Sequence, residues 1–62
     1  MNIREATLIA IQENKLLRKK DRTENWCLYV AAGTVFRNFY TDMEVELDAR
    51  DILGLDWYVV KD

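Results

Sequence analysis

Arg18, Arg22 and Arg37, with Trp26, Tyr29 and Tyr40, are the side chains of this chain best suited to holding a ligand. A guanidinium presents a planar fork that donates two parallel hydrogen bonds to a phosphate. An aromatic face stacks on a nucleobase, a contact worth about 1–3 kcal/mol per base in single-strand binders. Each residue also has a plain alternative, the arginines as solvated charges and the aromatics as core. What the chain lacks narrows the chemistry further. It has no His, no Ser and no Pro, and Cys27 is its one cysteine. Without His, the usual general base near neutral pH and the commonest metal ligand are missing. Nucleophilic triads are excluded, and a zinc site would need several Cys or His. With Gly33 and Gly54 as the only glycines, no glycine-rich phosphate loop can be built. Paired carboxylates leave acid–base catalysis open, but the expectation is a binding protein and not an enzyme, with no cofactor.

The elements that must position these residues follow from periodicity. Asn2 is a good helix cap, with Glu5 three residues on. Ile3, Ala6 and Ala10 recur at helical spacing, with Leu8, Ile9 and Ile11 widening the apolar surface. Glu13-Asn14 ends the helix, because Asn tolerates a left-handed cap. Strands are expected from Lys15 to Lys19 and from Trp26 to Ala31. In the second, Trp26, Leu28 and Val30 face one side and Cys27, Tyr29 and Ala31 the other. Ala32-Gly33 reads as a hairpin turn, followed by Val35, Arg37 and Phe39 opposing Phe36, Asn38 and Tyr40. After a turn at Thr41-Asp42, Met43, Val45 and Leu47 alternate with Glu44 and Glu46 as a half-buried strand. Asp48 to Asp51 reads as a capped helical turn anchored by Ile52 and Leu53 and ended by a left-handed Gly54. Trp57 to Val60 is the last strand. The expected fold is α+β, one N-terminal helix on an antiparallel sheet of four or five strands, in a single domain spanning residues 1–62.

A chain of 62 residues buries only about 60% of the surface its unfolded form exposes, so self-association is a natural supplement to its stability. One helix covers one face of a sheet, whereas Phe36 and Phe39, like Trp57 and Tyr58, must point to opposite faces. A homo-oligomer burying at least one of these four is therefore expected. The net charge of −2 is uneven: seven basic and four acidic residues precede Thr41, and two basic and seven acidic follow from it. The cluster Arg18-Lys19-Lys20-Asp21-Arg22 is too short for a duplex-DNA footprint but sufficient for a small phosphate-bearing ligand. No apolar run approaches the roughly 20 residues of a membrane span, and the N-terminus lacks a secretory signal core, so a cytosolic location is expected.

The run Asp51-Ile-Leu-Gly-Leu-Asp-Trp-Tyr-Val-Val60 resembles the C-terminal signature of a family of small, mostly bacteriophage proteins, Asp-Ile/Leu-Leu-x-x-Asp-Trp-x-Val. Its characterised members include the second class of Thoeris anti-defence proteins, which sequester nucleotide immune signals. Glu5-Ala6 matches a Glu/Lys-Ala pair in the family's first helix, and Lys15-Leu-Leu-Arg18 its short basic strand. The Trp usual soon after that Arg is missing; Trp26 stands a few positions later. From Thr34 to Leu47 the chain is shorter than in longer relatives and matches only in character.

The resemblance implies sequestration of a nucleotide-derived signal without turnover, in the cytoplasm of an infected bacterial host. Arg18, Arg22 and Arg37 would then meet phosphate, and Trp26, Tyr29 and Tyr40 the bases. A different class of function remains open. As an inhibitor of a host enzyme, the protein would dock through its acidic strand, with Glu44, Glu46 and Asp48 in contact. A cation site at Asp48 and Asp51 has too few assured oxygen ligands to rank with either.

Overall fold

The computed structural model describes residues 1–32 and 35–61. It contains helix α1 (Ile3–Glu13), strands β1 (Leu16–Lys19), β2 (Cys27–Ala31) and β3 (Val35–Asn38), helix α2 (Ala49–Leu53) and strand β4 (Trp57–Val60). The strands form one antiparallel sheet in the order β3-β2-β1-β4. The expected α+β layer of one N-terminal helix on four strands is what forms. Gly33, half of the expected Ala32-Gly33 turn, lies outside the described residues, as does Thr34; Ala32 adopts a left-handed φ of 54°.

α1 starts where Asn2 accepts the Glu5 backbone N–H at 2.8 Å. It ends at Asn14, which sits in the left-handed region at φ 53° and donates its N–H to the Ala10 carbonyl. The helix packs on the sheet through Ala6 and Ala10, whose small side chains let its backbone approach closely. Directly beneath, register places Leu17 between Leu28 of β2 and Val59 of β4. Leu17 and Leu28 are fully buried, each contributing about 1.5–3 kcal/mol. Trp57 completes the core, with Trp26 tilted against it at 5.6 Å between ring centroids. Leu8 and Ile11, read as extensions of the buried stripe, remain more than half exposed.

Several expectations near the C-terminus are corrected. The alternation from Met43 to Leu47 yields no strand, only one isolated bridge between Glu44 and Arg37. Val45 and Leu47 do turn towards the core and Glu44 and Glu46 towards solvent, but Met43 is 69% exposed, so the pattern reports burial only in its second half and without a full hydrogen-bond ladder. α2 has the expected capping box of Asp48 and Asp51. Its inward residue, however, is Asp51, not Ile52 or Leu53, which are 52% and 78% exposed. A helix of five residues turns only one position fully inward, and here that position makes polar bonds.

Gly54 is not left-handed: its φ is −66° and ψ 149°. Glycine is needed for space, since a Cβ there would lie 2.9 Å from both Lys19 Cε and Asp56 Oδ1. Lys19, read as part of an exposed basic cluster, is 3% exposed and paired with Asp21 and Asp56, each at 3.0 Å. Pleating explains this, because Lys19 shares the core side of β1 with Leu17. Burial opposes the ammonium charge, but the bonds to Asp21 and Asp56 outweigh it and raise the Lys19 pKa.

Candidate functional site

Because neighbours in register share a face, the residues out of phase with Leu17 and Leu28 form the sheet surface away from α1. On it lie Leu16 and Arg18 of β1, Tyr58 and Val60 of β4, Cys27, Tyr29 and Ala31 of β2, and Val35 and Arg37 of β3. Among the described residues no helix covers this face. Phe39 joins it by continuing the β3 register, its N–H donating to the Cys27 carbonyl at 2.7 Å.

The turn after β3 folds against this face and is held from several directions. The Asn38 side-chain oxygen accepts the N–H groups of Tyr40 and Thr41 at 2.8 and 3.1 Å. Asp42 is left-handed at φ 59°, a conformation Asp tolerates better than most residues. The Tyr29 hydroxyl donates to Asp42 Oδ1, and Arg37 donates to the Asp42 carbonyl at 2.7 Å. The Asp42 carboxylate holds the Tyr29 phenol protonated, raising its pKa. Tyr29 and Arg37 are thus partly committed to the turn. Tyr40 is 65% exposed, its ring edge-on to Phe39 at 5.4 Å.

Arg18 has neither the ion pair of Arg22 nor the turn bond of Arg37. It is half-buried, its guanidinium lies 5.9 Å from the Tyr58 ring centroid, and no carboxylate stands within 4.0 Å among the described residues. Its charge is felt locally. Burial pushes up the pKa of the neighbouring Cys27 thiol, and Arg18 pulls in the opposite direction.

Arg22 and Trp26 belong to a different region. One nitrogen of Arg22 donates to both Asp51 oxygens, at 3.0 and 3.1 Å, and its guanidinium lies 4.6 Å from the Trp26 ring. The hydrogen bond to Asp51 raises the Arg22 pKa. Asp51 also accepts the Asp48 N–H, and its carbonyl accepts the Trp57 indole N–H at 2.8 Å. Of the six residues named from sequence, the fold therefore gathers Arg18, Tyr29 and Arg37 on one face, with Tyr40 in the adjoining turn. Arg22 and Trp26 pack on the core side. Phe39 and Tyr58 join the face, and strand alternation alone identifies both. Asp42 had no signal beyond the expected turn.

Where the open face meets the end of α1 there is a cavity of about 470 Å³, between Ile11, Asn14 and Lys15 on one side and Leu16, Tyr29, Phe39 and Asp42 on the other. A second hollow of about 510 Å³ is an apolar groove on the outer side of α1, lined by Ile3, Leu8, Ile11, Phe36, Leu47 and Ile52, with Arg4 as its charged residue. The acidic stretch is partly spent: Asp48 caps α2, and the Asp51 N–H it accepts lowers its pKa. Among the described residues no cluster of Cys, Asp or Glu could hold a metal ion. Among the same residues no helix is long and apolar enough to cross a membrane. No protein-family model, curated protein or solved structure matches the chain.

Proposed function

We propose that the chain is a phage-type anti-defence protein that binds a nucleotide-derived immune signal on its open sheet face and sequesters it without cleavage. The observation that carries this reading is Arg18, a half-buried guanidinium beside Tyr58 with no carboxylate partner among the described residues. A cation held in a largely apolar surface favours an anionic ligand, and a guanidinium favours phosphate. The rings of Tyr29, Phe39 and Tyr58 on the same face supply stacking surface for bases.

The resemblance of Asp51 to Val60 to the sequestering family gives further support, chiefly for the fold. Asp51, Gly54, Asp56 and Trp57 each have a structural task in capping, packing or ion pairing. Holding suits the site better than turnover, since the Tyr29 phenol is kept protonated by Asp42 and no His or Ser accompanies it. Self-association into a homo-oligomer, in the cytoplasm of an infected bacterium, belongs to the same proposal. The apolar groove beside α1 and a chain of this size favour it.

Isothermal titration of the purified protein with ADP-ribose, a cyclic dinucleotide and AMP tests the reading, followed by mass measurement of the ligand recovered after denaturation. Saturable binding of at least one, recovered intact, is expected. Hydrolysed product, or no binding by any of the three, contradicts it. Light scattering at micromolar concentration should give a mass above that of one 7.4 kDa chain.

A further inference from the structure

We infer that the cavity at the end of α1 reads an amino-bearing heterocycle through the Asp42 carboxylate, with the phosphate of the same ligand directed along the face to Arg18. This rests on the reading of the open face as a nucleotide site and assigns the two ends of the ligand to different places.

The cavity, at about 470 Å³, has the volume of a small-molecule pocket, and Ile11, Leu16 and Phe39 belong to the apolar part of its wall. Its polar groups are unevenly matched in charge. The C-terminal end of an α-helix carries partial negative charge from its last carbonyls, and α1 ends at this cavity. Asp42 adds a carboxylate to the wall, with Oδ1 taken by the Tyr29 hydroxyl and Oδ2 accepting from no group among the described residues. The one cation of the wall, Lys15, is drawn to Glu13 at 2.9 Å. A phosphate entering here would meet a helix C-terminus and a carboxylate, whereas an N–H donor would meet an unused acceptor. The ring plane has Phe39 and Leu16 to pack against.

The anionic end has its counterpart on the same surface. Leu16 and Arg18 are two residues apart on β1, so they share the open face about 7 Å apart along the strand. A ligand with its ring against Leu16 and Phe39 therefore extends its phosphate towards Arg18. The turn geometry keeps the acceptor in place: Asn38 holds Tyr40 and Thr41, and Tyr29 and Arg37 hold Asp42 itself. Asp42 is thus a specificity-determining residue, and its pairing with Tyr29 orients it.

The experiment compares AMP with purine riboside 5′-monophosphate, which lacks the exocyclic amine and carries no ring N–H. Calorimetry on the unaltered protein should give at least tenfold tighter binding of AMP. Asp42→Gly keeps the left-handed backbone accessible and removes the carboxylate. It should reduce AMP affinity about tenfold, leave the purine riboside nucleotide unchanged and bring the ratio near one. Arg18→Ala should weaken both nucleotides equally and preserve the ratio. Equal binding of the two nucleotides by the unaltered protein overturns the inference while leaving a nucleotide site on this face intact. Discrimination that survives in a folded Asp42→Gly protein, checked by its melting curve, overturns it as well. Failure of both nucleotides, with ADP-ribose and the cyclic dinucleotide also silent, removes the underlying reading too.

Discussion

The end of the molecule built from α2 and the start of β4 is closed, whereas the sheet face opposite α1 is open, and both are made of arginines, carboxylates and aromatic rings. At the closed end the buried charges have partners within the chain. Arg22 meets Asp51, Lys19 meets Asp21 and Asp56, and the Trp57 indole meets the Asp51 carbonyl. On the open face Arg18 has only the Tyr58 ring, and one Asp42 carboxylate oxygen is unused among the described residues. Identical chemistry therefore serves structure where partners are internal and leaves capacity for a ligand where they are not. Motif strength is a poor guide to which is which, because the most distinctive run of the sequence lies at the closed end.

The largest effect should come from removing Trp57. Its ring is 1% exposed and its N–H is satisfied inside the chain. Trp57→Ala should cost about 3–5 kcal/mol, comparable to the whole stability of a domain this small. The expected circular dichroism melt is flat, without a cooperative transition. A cooperative melt near that of the unaltered protein would place the core elsewhere.

A smaller loss is expected from Gly54→Ala. The backbone at φ −66° suits alanine, and relief from glycine's flexibility would by itself stabilise by about 0.4–1 kcal/mol. The Cβ, however, falls 2.9 Å from Lys19 Cε, and Lys19 cannot move without straining two ion pairs. A net loss of about 1–2 kcal/mol is expected in chemical denaturation, and it should shrink when Lys19 is also replaced by Ala, the contact with Asp56 Oδ1 remaining. A gain in stability would show that Lys19 is free to shift.

Acid should weaken the closed end next. The bond from Lys19 holds the Asp56 carboxyl below its ordinary value of 3.8, and the Asp51 N–H does the same for Asp48. In this range the unfolded chain binds more protons than the folded one. The stabilisation is complete above pH 3.8 and declines as pH falls from there through the lower folded values. Lys19 has the opposite sense: its raised pKa confers stability that is full below 10.5 and is lost as pH climbs through the folded value. Asp56→Asn should flatten the acid limb of a melting temperature against pH curve. An unchanged acid limb would remove Asp56 from the network.

How far all this was legible in the sequence follows the same division. Local signals carried well: the Asn2 and Asn14 caps, the Asp48 capping box, the alternation of β2 and the opposition of Trp57 to Tyr58 all form as their spacing implies. These depend on residues a few positions apart. The errors concern partners far along the chain. Arg22 could not be told from a free cation because Asp51 is 29 residues away. Lys19 could not be separated from its basic neighbours without Asp56, 37 residues on. Gly54 invites a conformational explanation from sequence alone, because the Lys19 side chain that crosses it comes from a distant strand. The Met43 to Leu47 alternation places Val45 and Leu47 inward correctly but not Met43, which is 69% exposed, and hydrogen bonding along it needs a register that forms only at Glu44. On the open face, Arg18 and Tyr29 were legible as candidates from residue type, whereas the Asp42 acceptor depends on the turn.

On the proposed reading Arg18 serves a ligand, whereas Arg22 serves the fold. Melting temperature and ADP-ribose affinity, measured on Arg18→Ala and Arg22→Ala side by side, test it most directly. Arg18→Ala should lower affinity by roughly ten- to a hundredfold with the melting temperature nearly unchanged. Arg22→Ala leaves the Asp51 carboxylate unpaired, so it should lose about 1–3 kcal/mol of stability, less than for a fully buried pair because Arg22 is about one-third exposed. Below its melting temperature its affinity should be unaltered. The reverse assignment, with affinity lost through Arg22 and stability through Arg18, would contradict the account.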